Sequence, residues 1–407
     1  MISEREAQTM RRPPLTGIRV LDLSSIIAAP VTATMLGDFG AEVVKVEKPG
    51  AGDFMRRSAA TPGGRSFQWV QDARNKQSVT IDLHREEGRA LVRRMLPHFD
   101  VVVTNFRPPT LDRWQLGPDA LRAAFPSLIV LYVTGYGLTG PYRGRGAFDR
   151  IASAFSGLTY TSGEAGQPSV RSGYALIDYM TAYMGAFGIA AALFERERNG
   201  GQGQMIDLAL FEAGFRASED ALMRYSVTGD VRKRSGNVNP HIVPASNFFT
   251  LDGREITLHA GTDSLFRRLA VAMGRPDLPG DARFSGHAGR VANQAALYAI
   301  ITEWVARHDA KAVMALLVEA DIPASPVMSM ADIAADPHYR ERGVVTRIVD
   351  EEFGEMLMTG PMPRMSETPA EIRSLGPALG AHNDAVFRGL LGLGTAEIDA
   401  LRNDGVI

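Results

Sequence analysis

The sequence contains no cysteine, and this absence excludes several kinds of chemistry at once. Disulfide bonds, thiolate nucleophiles and zinc sites with cysteine ligands are all ruled out. The 8 histidines are scattered along the chain and form no pair with ligand spacing, so the sequence predicts no metal site. A chain without cysteine fits a reducing compartment, and we expect a cytoplasmic protein.

An excess of charge of one sign is missing as well. The 407 residues carry a formal net charge of -2 at pH 7, which gives no reason to expect nucleic-acid binding. The N-terminal segment 1–14 contains no apolar stretch of the signal-peptide type. The longest apolar candidate, 179–194, is interrupted by Thr181 and Gly185. We interpret it as a buried helix and expect no association with a membrane.

Several nucleotide-binding and hydrolase motifs are also absent. The chain has no Walker A loop, no G-x-S-x-G nucleophile elbow and no H-E-x-x-H motif. The turn at 24–30 contains no glycine, whereas a dinucleotide site of the Rossmann type uses glycines after its first strand. Glu47 stands where an acid that binds ribose would be expected. An NAD-dependent oxidoreductase is therefore an alternative that rests on this one residue.

What the first part of the chain does contain is an alternation of short apolar strands with helical stretches. Strands are predicted at 18–23, 41–46, 78–83, 100–103 and 128–133, and helices at 30–39, 86–96 and 118–124. This alternation favours a parallel sheet with helices on its faces. Glycine-rich loops follow, and a long helix is predicted at about 177–198.

The pattern changes after about residue 217, which suggests a second domain. A hairpin is predicted over 247–258 with its turn at Asp252-Gly253, followed by helices between 263 and 320. Two further strands are predicted at 344–349 and 356–359. Since 407 residues exceed one ordinary core, we predict a second, smaller domain at 225–330.

Six separated stretches resemble the class III CoA transferases of the CaiB–BaiF family. They are LTGIRVLDLSSIIAAPVTATMLGDFGAEVVKVEKPGAGD at 15–53, RNKQSVTIDL at 74–83, NFRPPTLDRWQL at 105–116, VTGYGLTGPY at 133–142, ERERNGGQGQMIDLALFEA at 195–213 and PASPVMSMADIAADPHYRERG at 323–343. The resemblance implies a doubly wound, mostly parallel α/β domain built from both chain ends, 1–224 with 331–407, beside a smaller α/β domain at 225–330. It further implies that two chains interlock as a homodimer.

The resemblance identifies Asp178 as the catalytic residue. The family's aspartate lies just ahead of the helix that leads to a glycine-rich turn, here 199–204, and Asp178 is the only acid between Gly166 and Glu195. A carboxylate that attacks a thioester forms a mixed anhydride and then an enzyme aspartyl-CoA thioester. From the residues alone, the alternative is that Asp178 caps a helix.

Six further residues match family positions that contact CoA. Lys48, Lys76 and Arg113 would meet the phosphates, Ile27 and Ala28 would border the adenine, and Tyr136 would lie beside the thioester. Without the resemblance, a solvated surface charge is the better interpretation of each basic residue. Gly135, Gly137 and Gly140 are candidates for donating backbone N–H groups to an oxyanion. CoA thioester is thus expected as a substrate, and no permanently bound cofactor is expected.

The acid substrates cannot be identified from the sequence, and succinyl-CoA is our default donor. Thr134 replaces a lysine of the oxalate-using branch, and the insertion that forms that branch's glycine-rich flap is missing, which disfavours oxalate. A substrate carboxylate requires a cation near Asp178. Arg145, Arg150 and Arg171 are candidates because they are near Asp178 in the sequence.

Two alternatives remain within CoA chemistry. An α-methylacyl-CoA racemase shares the fold but uses a histidine in a G-H-D motif, and here Phe148 occupies that position in Gly146-Ala147-Phe148-Asp149. Phenylalanine cannot transfer a proton, so this alternative is weakened. A CoA-binding protein without catalytic activity is the second alternative, and the presence of Asp178 argues against it.

Overall fold

The computed structural model describes residues 11–407 apart from residues 60, 62 and 63. The chain divides into two compact units. Unit 1 comprises Met1–Leu158, Arg171–Asp220 and Tyr339–Ile407, and unit 2 comprises Thr159–Val170 and Ala221–His338. The smaller domain predicted at 225–330 lies within unit 2. That each unit folds as an independent domain stays a prediction.

A six-stranded parallel sheet forms the centre of unit 1. Its strands are β1 (Arg19–Asp22), β2 (Glu42–Glu47), β3 (Lys76–Thr80), β4 (Val101–Thr104), β5 (Ile129–Thr134) and β6 (Met205–Ala209). The spatial order is β3-β2-β1-β4-β5-β6, and every neighbouring pair is parallel. The direction of winding reverses between β1 and β4, which is the doubly wound arrangement. The predicted fold class is confirmed.

Helices connect these strands and continue through the rest of the chain. In chain order they are α1 (Ala28–Asp38), α2 (Phe67–Asp72), α3 (Glu86–Met95), α4 (Pro108–Trp114), α5 (Pro118–Ala124), α6 (Asp149–Phe155), α7 (Leu158–Thr161), α8 (Leu176–Arg198), α9 (Leu210–Arg216), α10 (Ala221–Thr228), α11 (Asp263–Ala272), α12 (His287–Ala292), α13 (Gln294–Val305), α14 (Ala310–Glu319), α15 (Met330–Ala335), α16 (Pro337–Glu341), α17 (Asn383–Leu391) and α18 (Thr395–Asn403). Short 3-10 turns occur at Phe54–Arg56, Leu96–His98 and Leu278–Gly280.

Both faces of the sheet in unit 1 are covered, which explains why the central strands β4 and β5 are buried along their whole length and are mostly apolar. Successive residues of a strand point to opposite faces. Leu21 packs on the face that also receives Phe387 and Ile398 from the C-terminal helices. Val20 packs on the other face, together with Ile189 of α8. The C-terminal segment therefore contributes to the core of unit 1.

The apolar segment that we interpreted as a buried helix is α8. By length and composition it is apolar enough to cross a membrane. In the structure its inward face packs closely on the sheet and α1, because Gly185 has no side chain that would hold them apart. A Cβ at Gly185 would lie 2.9 Å from Leu131 Cδ2 and 2.9 Å from Thr32 Oγ1. The opposite face exposes Tyr183 and Phe187 in the single chain, so the helix is buried on one side only.

Unit 2 contains a three-stranded antiparallel sheet in the order β7-β8-β9. Its strands are β7 (Ala245–Phe249), β8 (Glu255–His259) and β9 (Ala324–Pro326). The predicted hairpin is confirmed, and Gly253 in its turn has a φ of 73°. The other predicted strand pair is also confirmed, as the antiparallel β10 (Val345–Asp350) and β11 (Gly354–Thr359).

Candidate active site

The carboxyl ends of β1, β4 and β5 open onto one cavity of unit 1. Its volume is about 600 Å³. The lining comes from the segments that follow these strands, 25–28, 105–108 and 133–135, and from 145–148. Doubly wound sheets bind ligands outside the strand ends where the winding reverses, which is between β1 and β4 here. The cavity is therefore where this fold is expected to bind a substrate.

Asp178 supplies a buried carboxylate to this cavity. It lies in the first turn of α8, lines the cavity, and is only 7% exposed. Burial, and in second place the negative charge of Asp149, raises the pKa of Asp178 to about 7. A carboxylate with little water around it is a stronger nucleophile once it is ionised.

Asp149, and not Asp178, caps the N-terminus of α8. Its Oδ2 accepts a hydrogen bond from the backbone N–H of Ile177 at 2.7 Å and from that of Asp178 at 3.3 Å. The capping role considered for Asp178 therefore belongs to Asp149. Phe148, which stands at the position of the racemase histidine, lines the same cavity as Asp178 and is 64% exposed.

Ile27 and Ala28 form part of the cavity wall, at the turn from β1 into α1. The structure thus brings three of the predicted site residues together, these two and Asp178. Their contact with adenine stays a prediction.

Lys48 lines a second, smaller cavity beyond the carboxyl ends of β2 and β3. This cavity has a volume of about 160 Å³ and is also lined by His84 and Trp114. Lys48 is exposed, so its ammonium is available to an anion. Ser25 and Phe106 line both cavities, which are therefore neighbours.

Lys76 is buried, unlike a lysine that would contact the phosphates of CoA. It is 3% exposed, and its Nζ donates to Asp22 Oδ2 at 2.9 Å and to the carbonyl of Pro30 at 2.7 Å. Burial lowers the pKa of Lys76 even though Asp22 acts against it. The ammonium is used inside unit 1, so its predicted phosphate contact is not favoured by this geometry.

Arg113 and Tyr136 lie near the cavities, but in the part of the chain that the structure describes neither is among the residues that line them. Arg113 is exposed in the last turn of α4. The ring of Tyr136 packs edge-on against Phe155, with 5.0 Å between ring centroids, and beside Tyr142. Their contacts with CoA stay predictions.

Of the glycines considered as oxyanion donors, Gly135 lines the main cavity. The N–H of Gly137 is engaged elsewhere, because it donates to Thr134 Oγ1 at 2.8 Å. Gly135 is therefore the best placed of the three.

Three arginines line the same cavity as Asp178: Arg107, Arg143 and Arg145. Arg143 pairs with Asp112 at 3.1 Å. The guanidinium of Arg145 lies 3.8 Å from the centroid of the Tyr142 ring, a cation–π contact. The cavity therefore combines one buried carboxylate with several cations.

Only one of the three arginines that the sequence suggested is part of this lining, namely Arg145. Arg150 is exposed, and Arg171 donates to the carbonyl of Ser172. Arg107 was missed, although it follows β4 directly and the carboxyl end of a strand beside the winding reversal is where ligands bind.

Glu47 does not behave as a ribose-binding acid. It is buried, its Oε2 lies 2.7 Å from Arg56 Nε, and it accepts a hydrogen bond from Ser78 Oγ at 2.6 Å. Although burial alone would raise it, Arg56 holds the pKa of Glu47 below its usual value. The oxidoreductase alternative thereby loses the one residue on which it rested. Within the described residues no cluster of His, Asp and Glu could hold a metal ion.

Comparisons with known proteins agree with this fold. The family described as CoA-transferase family III matches residues 15–383. The succinyl-CoA–D-citramalate CoA-transferase of Chloroflexus aurantiacus is 40% identical over 400 residues, 98% of this chain and 99% of that protein. The beta subunit of the succinyl-CoA–L-malate CoA-transferase of the same organism is 41% identical over 398 residues, 97% of this chain and 98% of that protein.

A solved structure supports the same assignment. The crystal structure of a CaiB/BaiF family protein from Brucella suis superposes with a TM-score of 0.81 at 34% identity, over 93% of this chain and 100% of that one. The family match and the two relatives likewise extend over nearly the whole chain, so the likeness is not confined to one unit. The chain belongs to CoA-transferase family III and is a CoA-transferring enzyme.

Proposed function

We propose that this enzyme transfers CoA from succinyl-CoA to a free dicarboxylic acid, with Asp178 as the covalent nucleophile. The observation that carries the mechanism is the buried Asp178 carboxylate in the cavity at the strand ends. The choice of substrates draws on the relatives, whose names give succinyl-CoA as donor and D-citramalate or L-malate as acceptor. Both of those acceptors are dicarboxylic acids.

The first half-reaction moves CoA onto the enzyme. An oxygen of the ionised Asp178 attacks the thioester carbonyl, the carbon–sulfur bond breaks, and CoA leaves as a thiolate. The thiolate then attacks the Asp178 carbonyl of the mixed anhydride. The anhydride C–O bond breaks, succinate leaves as a carboxylate, and an aspartyl-CoA thioester remains.

The second half-reaction is the reverse with a different acid. The acceptor carboxylate attacks the aspartyl thioester, which gives a new anhydride and CoA thiolate. The thiolate attacks the acyl carbonyl of the acceptor, so the acceptor leaves as a CoA thioester and Asp178 regains its carboxylate. No proton is consumed, and the free energy of the thioester is retained because each intermediate is an activated acyl group.

The surroundings of Asp178 fit this sequence of steps. Its burial limits the access of water, which would hydrolyse either intermediate. Gly135 lines the cavity, and its backbone N–H is our candidate for donating a hydrogen bond to the negatively charged oxygen of a tetrahedral intermediate. Arg145 lines the same cavity and provides a planar cation for the second carboxylate of a dicarboxylic substrate.

Phe148 bears on the racemase alternative. It contributes an apolar ring to the cavity at the position where a racemase would carry its second acid–base group. Because a phenyl ring cannot carry a proton between faces of an α-carbon, transfer is favoured over racemisation.

The test compares the two neighbouring carboxylates of the site. Asp178→Asn is expected to reduce transfer from succinyl-CoA by at least about a thousandfold, since the nucleophile is removed. Asp149→Asn is the matched control and is expected to keep measurable transfer, because an amide oxygen can still accept the capping hydrogen bond. Loss of transfer in the control with retention in Asp178→Asn would overturn the assignment.

A further inference from the structure

The turn between β1 and α1 is strained where it forms the cavity wall. Ile26 has a φ of +73°, a left-handed conformation that a β-branched residue rarely adopts. Its neighbours Ser25 and Ile27 line the cavity with it. Such a conformation persists only when the surrounding structure holds it, and it tends to occur at functional sites.

Four buried charged residues lie beneath this turn. Asp22, Lys45, Asp53 and Lys76 are at most 5% exposed. Lys45 Nζ lies 3.2 Å from Asp53 Oδ2, and Lys76 Nζ lies 2.9 Å from Asp22 Oδ2. Burial would raise the pKa of Asp22, but Lys45 and Lys76 lower it to about 2, so this carboxylate stays charged. The two acids and two lysines form a neutral group, which we call the ionic cluster.

Side chains of the ionic cluster form hydrogen bonds with the backbone of the turn. The carboxylate of Asp53 accepts a hydrogen bond from the N–H of Ile26 at 3.2 Å, at the strained residue itself. Asp22 Oδ1 accepts one from the N–H of Ser24 at 3.0 Å, and Lys45 donates to the carbonyl of Ser24.

Further hydrogen bonds fix the backbone on both sides of the strained residue Ile26. Lys76 donates to the carbonyl of Pro30 in the first turn of α1. Asn105, after β4, brackets Ser25 by accepting from its N–H at 2.9 Å and donating to its carbonyl at 2.7 Å. All of these side chains bond to main-chain atoms, so they fix the path of the turn and not the identity of its side chains.

We propose that the ionic cluster is a positioning device: it holds the β1–α1 turn in its strained shape and thereby controls CoA binding without touching CoA. The inference rests on the proposed function only in taking the adjoining cavity as the CoA site. It assigns Lys76 an internal role in place of the phosphate contact that the family resemblance suggested. It also gives roles to Asp22, Lys45 and Asp53, which the sequence did not single out.

Positioning of the turn and electrostatic attraction of the CoA phosphates predict opposite changes in CoA affinity when an acid of the cluster is replaced. Asp53 has the same sign of charge as the CoA phosphates. If charge near the ligand governed binding, Asp53→Ala would leave CoA affinity unchanged or increase it. If Asp53 holds Ile26, the same substitution releases the strained N–H and weakens CoA binding by about five- to tenfold, the ratio that corresponds to one backbone hydrogen bond.

Calorimetric titration of the full chain with free CoA measures this without any chemistry. The wild type, Asp53→Ala and the control Glu42→Ala are compared, with thermal unfolding of each to establish that it is folded. Glu42 is exposed at the opposite end of β2, so its replacement is expected to leave the Kd within about twofold. Weaker CoA binding by folded Asp53→Ala supports the proposal, and unchanged or tighter binding overturns it.

A second pair of variants decides the case if Asp53→Ala does not fold. Lys76→Met leaves the buried Asp22 without the nearer of its two lysine partners, since Lys45 Nζ lies 3.6 Å from Asp22 Oδ1, whereas Asp22→Asn with Lys76→Met removes both charges of the closer pair. Partial recovery of CoA affinity in the double variant is expected if the pair acts within the cluster, because the uncompensated charge of Asp22 is removed while the hydrogen bond to Pro30 stays lost. A double variant that binds CoA no better than Lys76→Met would point to a direct phosphate contact and overturn the proposal. A wild type that binds CoA but is not labelled at Asp178 would contradict the proposed mechanism alone.

Discussion

At the scale of single residues, the site is built around a carboxylate whose surroundings oppose its charge. Asp178 is buried next to Asp149, and together burial and the neighbouring charge raise its pKa to about 7. The protein thus keeps a destabilising charge at the position where the proposed chemistry needs a poorly solvated nucleophile. An unfavourable buried charge of this kind is commonly retained where activity depends on it.

The raised pKa has a consequence for stability. The folded-state pKa of about 7 lies above the ordinary value of 3.8, so the unfolded chain releases this proton first as the pH rises. Ionisation of Asp178 therefore destabilises the wild type progressively between about pH 4 and pH 7, a contribution that is missing in Asp178→Asn because the amide is never charged.

The two proteins should unfold alike near pH 4, and Asp178→Asn should be the more stable by up to about 4 kcal/mol at pH 8. Urea unfolding at a series of pH values measures the difference. A stability difference that does not change between pH 4 and pH 8 would contradict the raised pKa.

A second residue-scale prediction concerns the acid substrate. Arg145→Gln removes a cation from the Asp178 cavity, so the KM for a dicarboxylic acceptor should rise by about tenfold or more, as one charge-assisted hydrogen bond is lost. The Kd for free CoA should change little. Arg150→Gln, which removes a nearby exposed arginine, serves as the matched control. Equal effects of both variants on the acceptor KM would contradict a specific role for Arg145.

At the scale of elements, the packing of α8 on α1 and β5 places Asp178. Gly185 marks the closest approach, since its missing Cβ would meet Thr32 and Leu131 at 2.9 Å. Gly188 lies one turn further on, where a Cβ would be 3.5 Å from Ile206, an ordinary contact. The same helix therefore contains one glycine that the packing requires and one that it does not.

Gly185→Ala should destabilise the protein by about 1–3 kcal/mol, because it forces the helix away from the sheet. Gly188→Ala is the matched control and should be neutral or stabilising by up to about 1 kcal/mol, since alanine favours the helix. Denaturant unfolding compares the free energies of unfolding of the two variants. A destabilisation of the same size in both would contradict a closer approach of the helix to the sheet at Gly185 than at Gly188.

Several elements followed from the sequence because their patterns are local. The strands β1, β2, β4 and β5 and the helix α3 lie within a few residues of their predicted bounds. The prediction missed β6, whose residues carry little strand signal beside a glycine-rich turn, and α4, which opens with two prolines. Proline fits the first turn of a helix, so the signal for α4 was present but ambiguous.

The candidate site was predictable only in part. The resemblance pointed to Asp178, and a strand end beside the winding reversal would have pointed to Arg107. The burial of Lys76 could not be read from its sequence, because a lysine next to Asn75 and Gln77 looks like any exposed cation. Its environment depends on Asp22, which is far away in sequence and adjacent only once β1, β2 and β3 have assembled.

At the scale of the whole molecule, the interlocked homodimer stays a prediction of the family resemblance. In the single chain, α8 exposes Phe187 to 77% and Phe194 to 60%, apolar surface that a second chain would cover. Sedimentation should therefore show one species of twice the chain mass at micromolar concentration, with or without CoA. A fully active species with the mass of one chain would contradict the dimer.

The central claim is that CoA passes through covalent intermediates on Asp178, and mass spectrometry of the Asp178 peptide tests it most directly. The enzyme is incubated with succinyl-CoA, and hydroxylamine is added to capture the activated carboxyl group. We expect a hydroxamate on the peptide that contains Asp178, dependent on succinyl-CoA and missing in Asp178→Asn. An unmodified peptide from enzyme that catalyses transfer under the same conditions would contradict the account.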